Sequence, residues 1–322
     1  MEVVMASFYE YCLTMNIQLI SRKEIKVEQW DSFILNANSG APFLLSGWLD
    51  IACPGWSTYI ISNANQEWIA VMPMPIKKWV FISEIRQPLF CMYGGIILKE
   101  NIDQINIEKE LLKKLKKDNY RIELYFPPKY LEHNLSSLAQ ELNYVIKNRI
   151  TYQIDLTHSW ELIGTAKRNL QKSIREGWMV SDTESPDHFH LLLQNNPHIM
   201  PKKFQNRFVQ LLNWAYTAGY LTTWTGFSKE GKLGAMVLIL QCSKSAWYLS
   251  GAVLPEFRQS GIMTHLFNSA IHDYKKRGFT LFDFEGSQIP SIAKFFSGLG
   301  GSPISYLCLK REPLPKWLSW IR

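Results

Sequence analysis

The stretch VLPEFRQSGIMTHLFNSAIHDYKKRGFTLFDFEGSQIPSIAKFF, running from Val253 to Phe296, decides the fold. It reads as a strand end, a tight polar turn, an amphipathic helix, a short strand ending in acids, and the start of another helix. The turn Arg258-Gln259-Ser260-Gly261 falls directly before the helix. Backbone N–H groups at a helix N-terminus point outward unpaired, and the helix dipole adds partial positive charge there. Val253, Arg258, Gln259, Ser260, Gly261, Ile262 and Met263 therefore form a candidate cradle for an anionic carrier such as a pyrophosphate. An ordinary turn with Ser260 as helix cap would give the same letters. Further on, Phe282-Asp283-Phe284-Glu285 alternates apolar and acidic, which predicts both carboxylates on one side of a strand.

Outward from this stretch, the element order nearly repeats. In the first half, Ile17–Ile20 predicts a strand, and Val27–Leu35 and Ser46–Ala52 predict helices. Ser57–Ser62 and Glu67–Ile76, joined by Asn63-Ala64-Asn65-Gln66, read as a hairpin ending in Met72-Pro73-Met74-Pro75. A strand at Leu89–Tyr93 then leads into Gly94-Gly95, followed by helices over Ile107–Lys117 and Leu135–Leu142 and strands over Tyr120–Phe126 and Tyr144–Ile154. The second half offers helices at Trp160–Glu176, Pro186–Gln194 and Lys203–Thr217, a strand at Trp178–Ser181, and a meander through Leu221–Phe227, Leu233–Cys242 and Ser245–Val253. Gly261–Arg277, Thr280–Phe284, Pro290–Phe296 and Ile304–Lys310 complete it as helix, strand, helix and strand. This predicts an α/β protein of mixed sheets flanked by helices, divided as an extension over 1–16 and domains over 17–156 and 157–322.

Bulk properties exclude more than they assign. With 322 residues, 47% of them hydrophobic, the chain has material for two cores. Lys plus Arg exceed Asp plus Glu by 35 to 28, an excess compatible with phosphorylated ligands, RNA or an anionic surface. The run Lys113 to Lys117 reads as a solvated helix face. Five widely spaced cysteines without a CxxC pair argue against a disulfide framework or zinc site, and favour the cytoplasm. No histidine pair has carboxylates or cysteines at ligand spacing, so no metal is expected. No apolar run approaches membrane-spanning length, and the first residues lack signal-peptide character. Leu314–Arg322, apolar with basic ends, is expected to pack its tryptophans on the body or touch a membrane surface.

Three local patterns carry a resemblance. Val253-Leu254-Pro255-Glu256-Phe257-Arg258-Gln259-Ser260-Gly261 resembles the strand and pyrophosphate loop of the GNAT N-acetyltransferases. Phe282 to Ser287 followed by Ile292 to Gly301 resembles the Glu-Gly-Ser, Phe-Phe, Gly-Gly region of FemAB-like proteins. Lys167-Arg168-Asn169-Leu170-Gln171-Lys172-Ser173, with Gly177, resembles the basic helix opening their second domain. In the first half Trp30, Phe43, Trp48, Pro73 and Pro88 to Gly95 follow the same order. The chain thus resembles, over about residues 17–322, two GNAT-like (acyl-CoA N-acyltransferase) domains in tandem, of the FemAB-like or Fem aminoacyltransferase type. It departs from the acetyl-CoA binders at Met263, where they usually have Gly or Ala and where a side chain can crowd a diphosphate.

The resemblance implies acyl transfer to an amine held between the two domains, with acetyl-CoA or another acyl-CoA as co-substrate. A second reading is Fem-like transfer from aminoacyl-tRNA to a cell-wall precursor or other nucleotide-linked substrate. A third is a non-catalytic binding protein that kept the fold. Glu285 is the candidate general base, with Asp283 beside it and Lys294 as a cation for the tetrahedral oxyanion. Ser287, Lys167, Arg168 and Tyr93 are candidate substrate contacts. Exposed strand acids and a solvated basic helix are the plain alternatives. The first half lacks an Arg-x-x-Gly loop and is expected to be non-catalytic.

Overall fold

The computed structural model describes residues 15–37, 39–78, 83–99, 104–118, 120–128, 135–183, 189, 193, 201–286 and 288–312. The chain forms two compact units, one of residues 1–149 with 305–322 and one of residues 150–304. The first unit contains β1 (Asn16–Ser21), α1 (Val27–Leu35), α2 (Ser46–Ala52), β2 (Ser57–Ser62), β3 (Trp68–Met74), β4 (Ile76–Lys78), β5 (Ser83–Arg86) and β6 (Ile97–Leu98). It continues with α3 (Gln104–Lys117), β7 (Arg121–Tyr125), α4 (Leu135–Glu141) and the opening residues of β8 (Val145–Asp155).

Local chemistry accounts for these elements. Trp30 and Ile34, one turn apart on α1, are fully buried, and the Trp30 indole donates to Leu44 O at 2.9 Å. The β2–β3 hairpin closes because Asn63 Oδ1 accepts the backbone N–H groups of Asn65 and Glu67 at 3.0 and 2.9 Å. The expected strand over Leu89–Tyr93 does not form. Phe90 takes a φ of 63°, the Cys91 N–H turns back to Pro88 O, and Gln87 Nε2 donates to Cys91 O at 3.1 Å. Those hydrogen bonds replace a ladder. The short strands β5 and β6 lack the alternation that would have announced them; β5 is held by parallel pairing with β7.

The second unit continues β8 and adds α5 (Thr165–Arg175), β9 (Met179–Thr183), α6 (Lys202–Thr217), β10 (Leu221–Phe227), β11 (Leu233–Cys242) and β12 (Ser245–Val253). α7 (Ile262–Lys276), β13 (Leu281–Asp283), α8 (Pro290–Gly298) and β14 (Ser302–Arg311) follow. Its sheet runs β8-β13-β12-β11-β10-β9. β13 lies parallel to β12 and antiparallel to β8. Its pairing with β12 covers only Leu281–Asp283 against Ser245–Trp247. Beyond Trp247, β12 carries a bulge, because Ile239 faces Tyr248 while the adjacent Leu238 faces Ser250. The division expected at 156/157 differs from the compact units. Residues Cys308–Arg311 of β14 pair with Tyr125–Ile122 of β7, which draws the chain end into the first unit. Most of the helix expected over 186–194, and the run 314–322, lie outside the described residues.

Helix α7 is the keel of this unit. Ile262, Leu266, Phe267, Ala270, Ile271 and Tyr274 fall on one helical face and are buried against Val237, Ala246, Phe282 and Phe284. The Phe267 ring touches Phe284 at 5.6 Å and Phe295 at 5.8 Å between centroids. At its N-terminus Gly261 has a φ of 81°, and a Cβ there would lie 2.2 Å from the Asn169 carbonyl oxygen on α5. Both the left-handed backbone and the close helix contact demand glycine. Gly261→Ala is therefore expected to destabilise the protein by about 2–4 kcal/mol. Urea denaturation checks this, and an unchanged midpoint contradicts it.

Candidate functional site

The site begins where β13 ends. Asp283 is fully buried and its carboxylate is hydrogen-bonded on both oxygens. Oδ1 accepts from Thr151 Oγ1 at 2.6 Å and from the Glu285 backbone N–H at 2.8 Å, while Oδ2 accepts from Gln153 Nε2 at 2.8 Å. Thr151 and Gln153 lie on β8, two residues apart, so their side chains emerge on one face of the sheet. These bonds make up for the water that Asp283 lost on burial.

The same network turns the chain. Glu285 has a φ of 64°, and Gly286 follows at 70°. A left-handed glutamate costs roughly 1–2 kcal/mol, and such outliers persist only when the surroundings over-determine them. Here the Asp283 carboxylate holds the Glu285 N–H, and Gly286 presses against β8, where a Cβ would meet Ile150 O at 2.4 Å. Glu285 thus leaves the strand instead of sharing a side of it with Asp283, because β13 stops at Asp283. The alternation in the sequence does not survive this turn.

Burial pushes the Glu285 carboxyl well above the usual carboxylate range, and the like charge of Asp283 adds to the rise. Tyr248 shares this environment. Its phenol is held above its ordinary range first by burial and then by the charge of Glu285. The ring packs 5.0 Å from Phe267 and 5.9 Å from Phe296. Tyr248 stands one residue beyond the last β12 position paired with β13. Nothing in the sequence patterning marked it; the only signal was a tyrosine on the strand leading to the loop, and its place depends on register.

The loop ahead of α7 is braced by α5. Lys172 Nζ donates to Gln259 O at 2.6 Å, and Asn169 O abuts Gly261. Ser260 is buried, its hydroxyl donating to Phe257 O at 2.7 Å and accepting the Ile262 N–H at 3.2 Å. One amide of the expected cradle is therefore engaged within the loop, and Gly261 itself, not Ser260, occupies the cap position. Arg258 and Gln259 are exposed, Val253 is half-buried at the end of β12, and Met263 packs on the core of the unit. Beside the loop lies an open depression lined by Lys172, Arg175, Trp178, Lys229 and Phe257, with Glu176, Glu230 and Glu256 balancing the cations.

The remaining candidates scatter. Lys294 is exposed on α8 and, among the described residues, makes no ion pair or hydrogen bond with either acid. Lys167 pairs with Glu161 at 2.7 Å, and Arg168 donates to Thr165 Oγ1 at 3.1 Å, both on the exposed side of α5. Tyr93 belongs to the first unit, buried edge-on to Tyr306 at 5.4 Å. Ser287 lies outside the described residues. Among the described residues no group of three or more His, Cys, Asp or Glu is placed to hold a metal ion, and no helix is long and apolar enough to cross a membrane.

Comparison with known proteins defines the class. Residues 186–289 match the acetyltransferase (GNAT) domain family, a span containing the loop and Glu285. No curated protein matches the sequence. Among solved structures the chain is similar to FemX, at 13% identity with a TM-score of 0.66, covering 90% of this chain and 96% of that one. It is also similar to L-PGS from Bacillus licheniformis, at 14% identity and a TM-score of 0.56, covering 89% and 92%. A tandem GNAT protein from the clavulanic acid biosynthesis pathway aligns at 12% identity and a TM-score of 0.52, covering 94% and 100%. The chain has the tandem GNAT fold, with an acetyltransferase-type domain in its second unit.

The proton affinity of Glu285 has a measurable sign. Its folded-state pKa lies above the unfolded value, so the native state binds the proton more tightly. Stability is then lost as pH rises from the ordinary carboxylate range through the folded pKa. Glu285→Gln is expected to raise Tm more at pH 8 than at pH 5. An equal shift at both pH values would show that the carboxyl is not desolvated.

Proposed function

We propose that the second unit transfers an acyl group from an activated carrier to an amine, with Glu285 as proton acceptor. The observation that supports this most strongly is the half-buried, left-handed Glu285 beside the buried Asp283 carboxylate, where β12 and β13 part. Strain and burial of an acid weaken a fold, and their coincidence at one residue is the mark of a working group.

In this reading the amine arrives as an ammonium and gives its proton to the Glu285 carboxylate. The neutral amine attacks the carbonyl carbon of the carrier ester or thioester, forming a tetrahedral intermediate. The attacking nitrogen, positively charged in that intermediate, gives its excess proton to water; the intermediate collapses with cleavage of the bond to the carrier oxygen or sulfur, and the leaving group takes up a proton. In this scheme Tyr248, whose phenol stays protonated at neutral pH, supplies that proton or hydrogen-bonds the departing atom. Asp283 acts through Glu285, fixing its backbone and raising its basicity, and is a positioning residue. Lys294 carries no part in this scheme.

The donor is an acyl-CoA in the first form of the proposal, its phosphates lying at the N-terminus of α7 with Arg258 at the rim. The GNAT family match over the loop supports this form. A second form, transfer from aminoacyl-tRNA, is favoured by the engagement of the Ile262 amide with Ser260 and the closeness of Asn169 to Gly261, which leave a pyrophosphate less room. The acceptor is then a cell-wall precursor or other nucleotide-linked amine, as the Fem-type resemblance implies.

Calorimetric titration with acetyl-CoA and longer acyl-CoAs, followed by turnover with a panel of amines, separates the forms. Binding and transfer support the first form; transfer only from charged tRNA supports the second. Neither outcome leaves a non-catalytic binding protein. With the working donor, Glu285→Gln is expected to lower kcat about 10²- to 10⁴-fold with little change in donor KM. The wild-type rate should climb with pH through a pKa above the ordinary carboxylate range, and a Glu285→Gln enzyme with undiminished kcat would refute the role.

A further inference from the structure

Among the described residues, the first unit holds a guanidinium with no carboxylate paired to it. Arg149, on the opening residues of β8, is half-buried, and its guanidinium carbon lies 4.8 Å from the centroid of the Tyr125 ring. The Tyr306 hydroxyl and the buried Cys308 sulfur lie close enough to the guanidinium to raise its proton affinity. Tyr306 is in turn wedged edge-on between Tyr93, at 5.4 Å, and Tyr125, at 6.2 Å. Among the described residues no carboxylate pairs with Arg149. Glu123, two positions from Tyr125 on β7, is already engaged, accepting from Lys310 Nζ at 2.6 Å and from the Tyr125 hydroxyl at 3.2 Å.

A partly desolvated cation without a counter-ion weakens a fold unless something else is gained by keeping it there. A guanidinium has five N–H donors in one rigid plane. Here one face of that plane lies over an aromatic ring, and Tyr306 and Cys308 lie beside it. Its donors form a rigid fork, the geometry that takes two oxygens of an oxyanion side by side. The surrounding tyrosines add a flat apolar wall beside this edge, with polar hydroxyl tips.

The geometry points to an oxyanion subsite in the first unit, in which Arg149 receives a phosphate or carboxylate group and Tyr125, Tyr306 and Tyr93 hold the guanidinium in place. This gives Tyr93 a supporting part in recognition. The inference stands apart from the transfer reading, since it concerns the other unit and is read by binding alone.

Thermal unfolding of the full chain in inorganic phosphate, pyrophosphate, acetate and chloride at equal ionic strength tests it. The subsite predicts a saturable rise in Tm with phosphate, pyrophosphate or acetate relative to chloride. Half-saturation should move about 10- to 100-fold higher in Arg149→Gln, the loss expected for charge-assisted hydrogen bonds. Arg149→Lys keeps the charge but loses the fork, and Tyr306→Phe loses only the hydroxyl beside the guanidinium. Both should weaken binding by a smaller factor, and they carry the test if Arg149→Gln does not fold. A rise with the phosphates alone assigns a phosphate ester, and a rise with acetate alone assigns a carboxylate. No saturable rise in the wild type, or a rise left unchanged by the Arg149 substitutions, overturns the proposal.

Discussion

The hydrogen bond from the Glu285 backbone N–H to the Asp283 carboxylate shapes the turn that ends β13 in the second unit. A buried carboxylate is stable only with its oxygens occupied, and β8 supplies two of the donors through Thr151 and Gln153. The third donor is the chain itself, folded back two residues later. That closure ends β13, forces the left-handed turn over Glu285 and Gly286, and leaves Glu285 half-buried. Strain, desolvation and like-charge repulsion therefore come from one arrangement. Each weakens the fold slightly, and the last two raise the proton affinity of a single side chain.

Rigid surroundings make such an arrangement sustainable. The aromatic cluster of Phe267, Phe282, Phe284 and Phe296 ties α7 and α8 to the strand carrying Asp283. Phe284 and Phe296 stack at 4.8 Å, next to the strained turn. On the far side of α7, helix α5 clamps the loop through Asn169 and Lys172. This clamp changes the meaning of Gly261. The sequence pattern suggested a glycine that admits a ligand, whereas the packing shows one that admits a neighbouring helix. The weight of the functional reading moves accordingly from the loop to Glu285.

Legibility in the sequence followed the range of the interactions involved. Helices with a clear apolar face, such as Val27–Leu35, and the meander from Leu221 to Val253 stand where periodicity and turn residues put them, because local propensity and burial agree there. The tandem GNAT architecture was legible from element order joined to three motifs. The alternation at Phe282–Glu285 singled out Glu285 but not its turn, which depends on Thr151 and Gln153, remote in sequence. Tyr248 was invisible for the same reason, being placed by a bulge and by the register of β12. The return of the chain end to β7 is likewise a long-range pairing that no window of sequence contains. At Leu89–Tyr93 an apolar run misled, because Pro88 and the Gln87 side chain drew its backbone hydrogen bonds away from any ladder.

The account rests on the proton affinity of one carboxyl, and that quantity can be observed without knowing any substrate. Titration of protein carrying ¹³C-labelled glutamate carboxyls, with the Glu285 resonance assigned by its loss in Glu285→Gln, gives the midpoint directly. A midpoint well above the ordinary glutamate range, which falls when Asp283 is replaced by Asn, is the predicted result. A Glu285 carboxyl that titrates like an exposed glutamate would contradict the account.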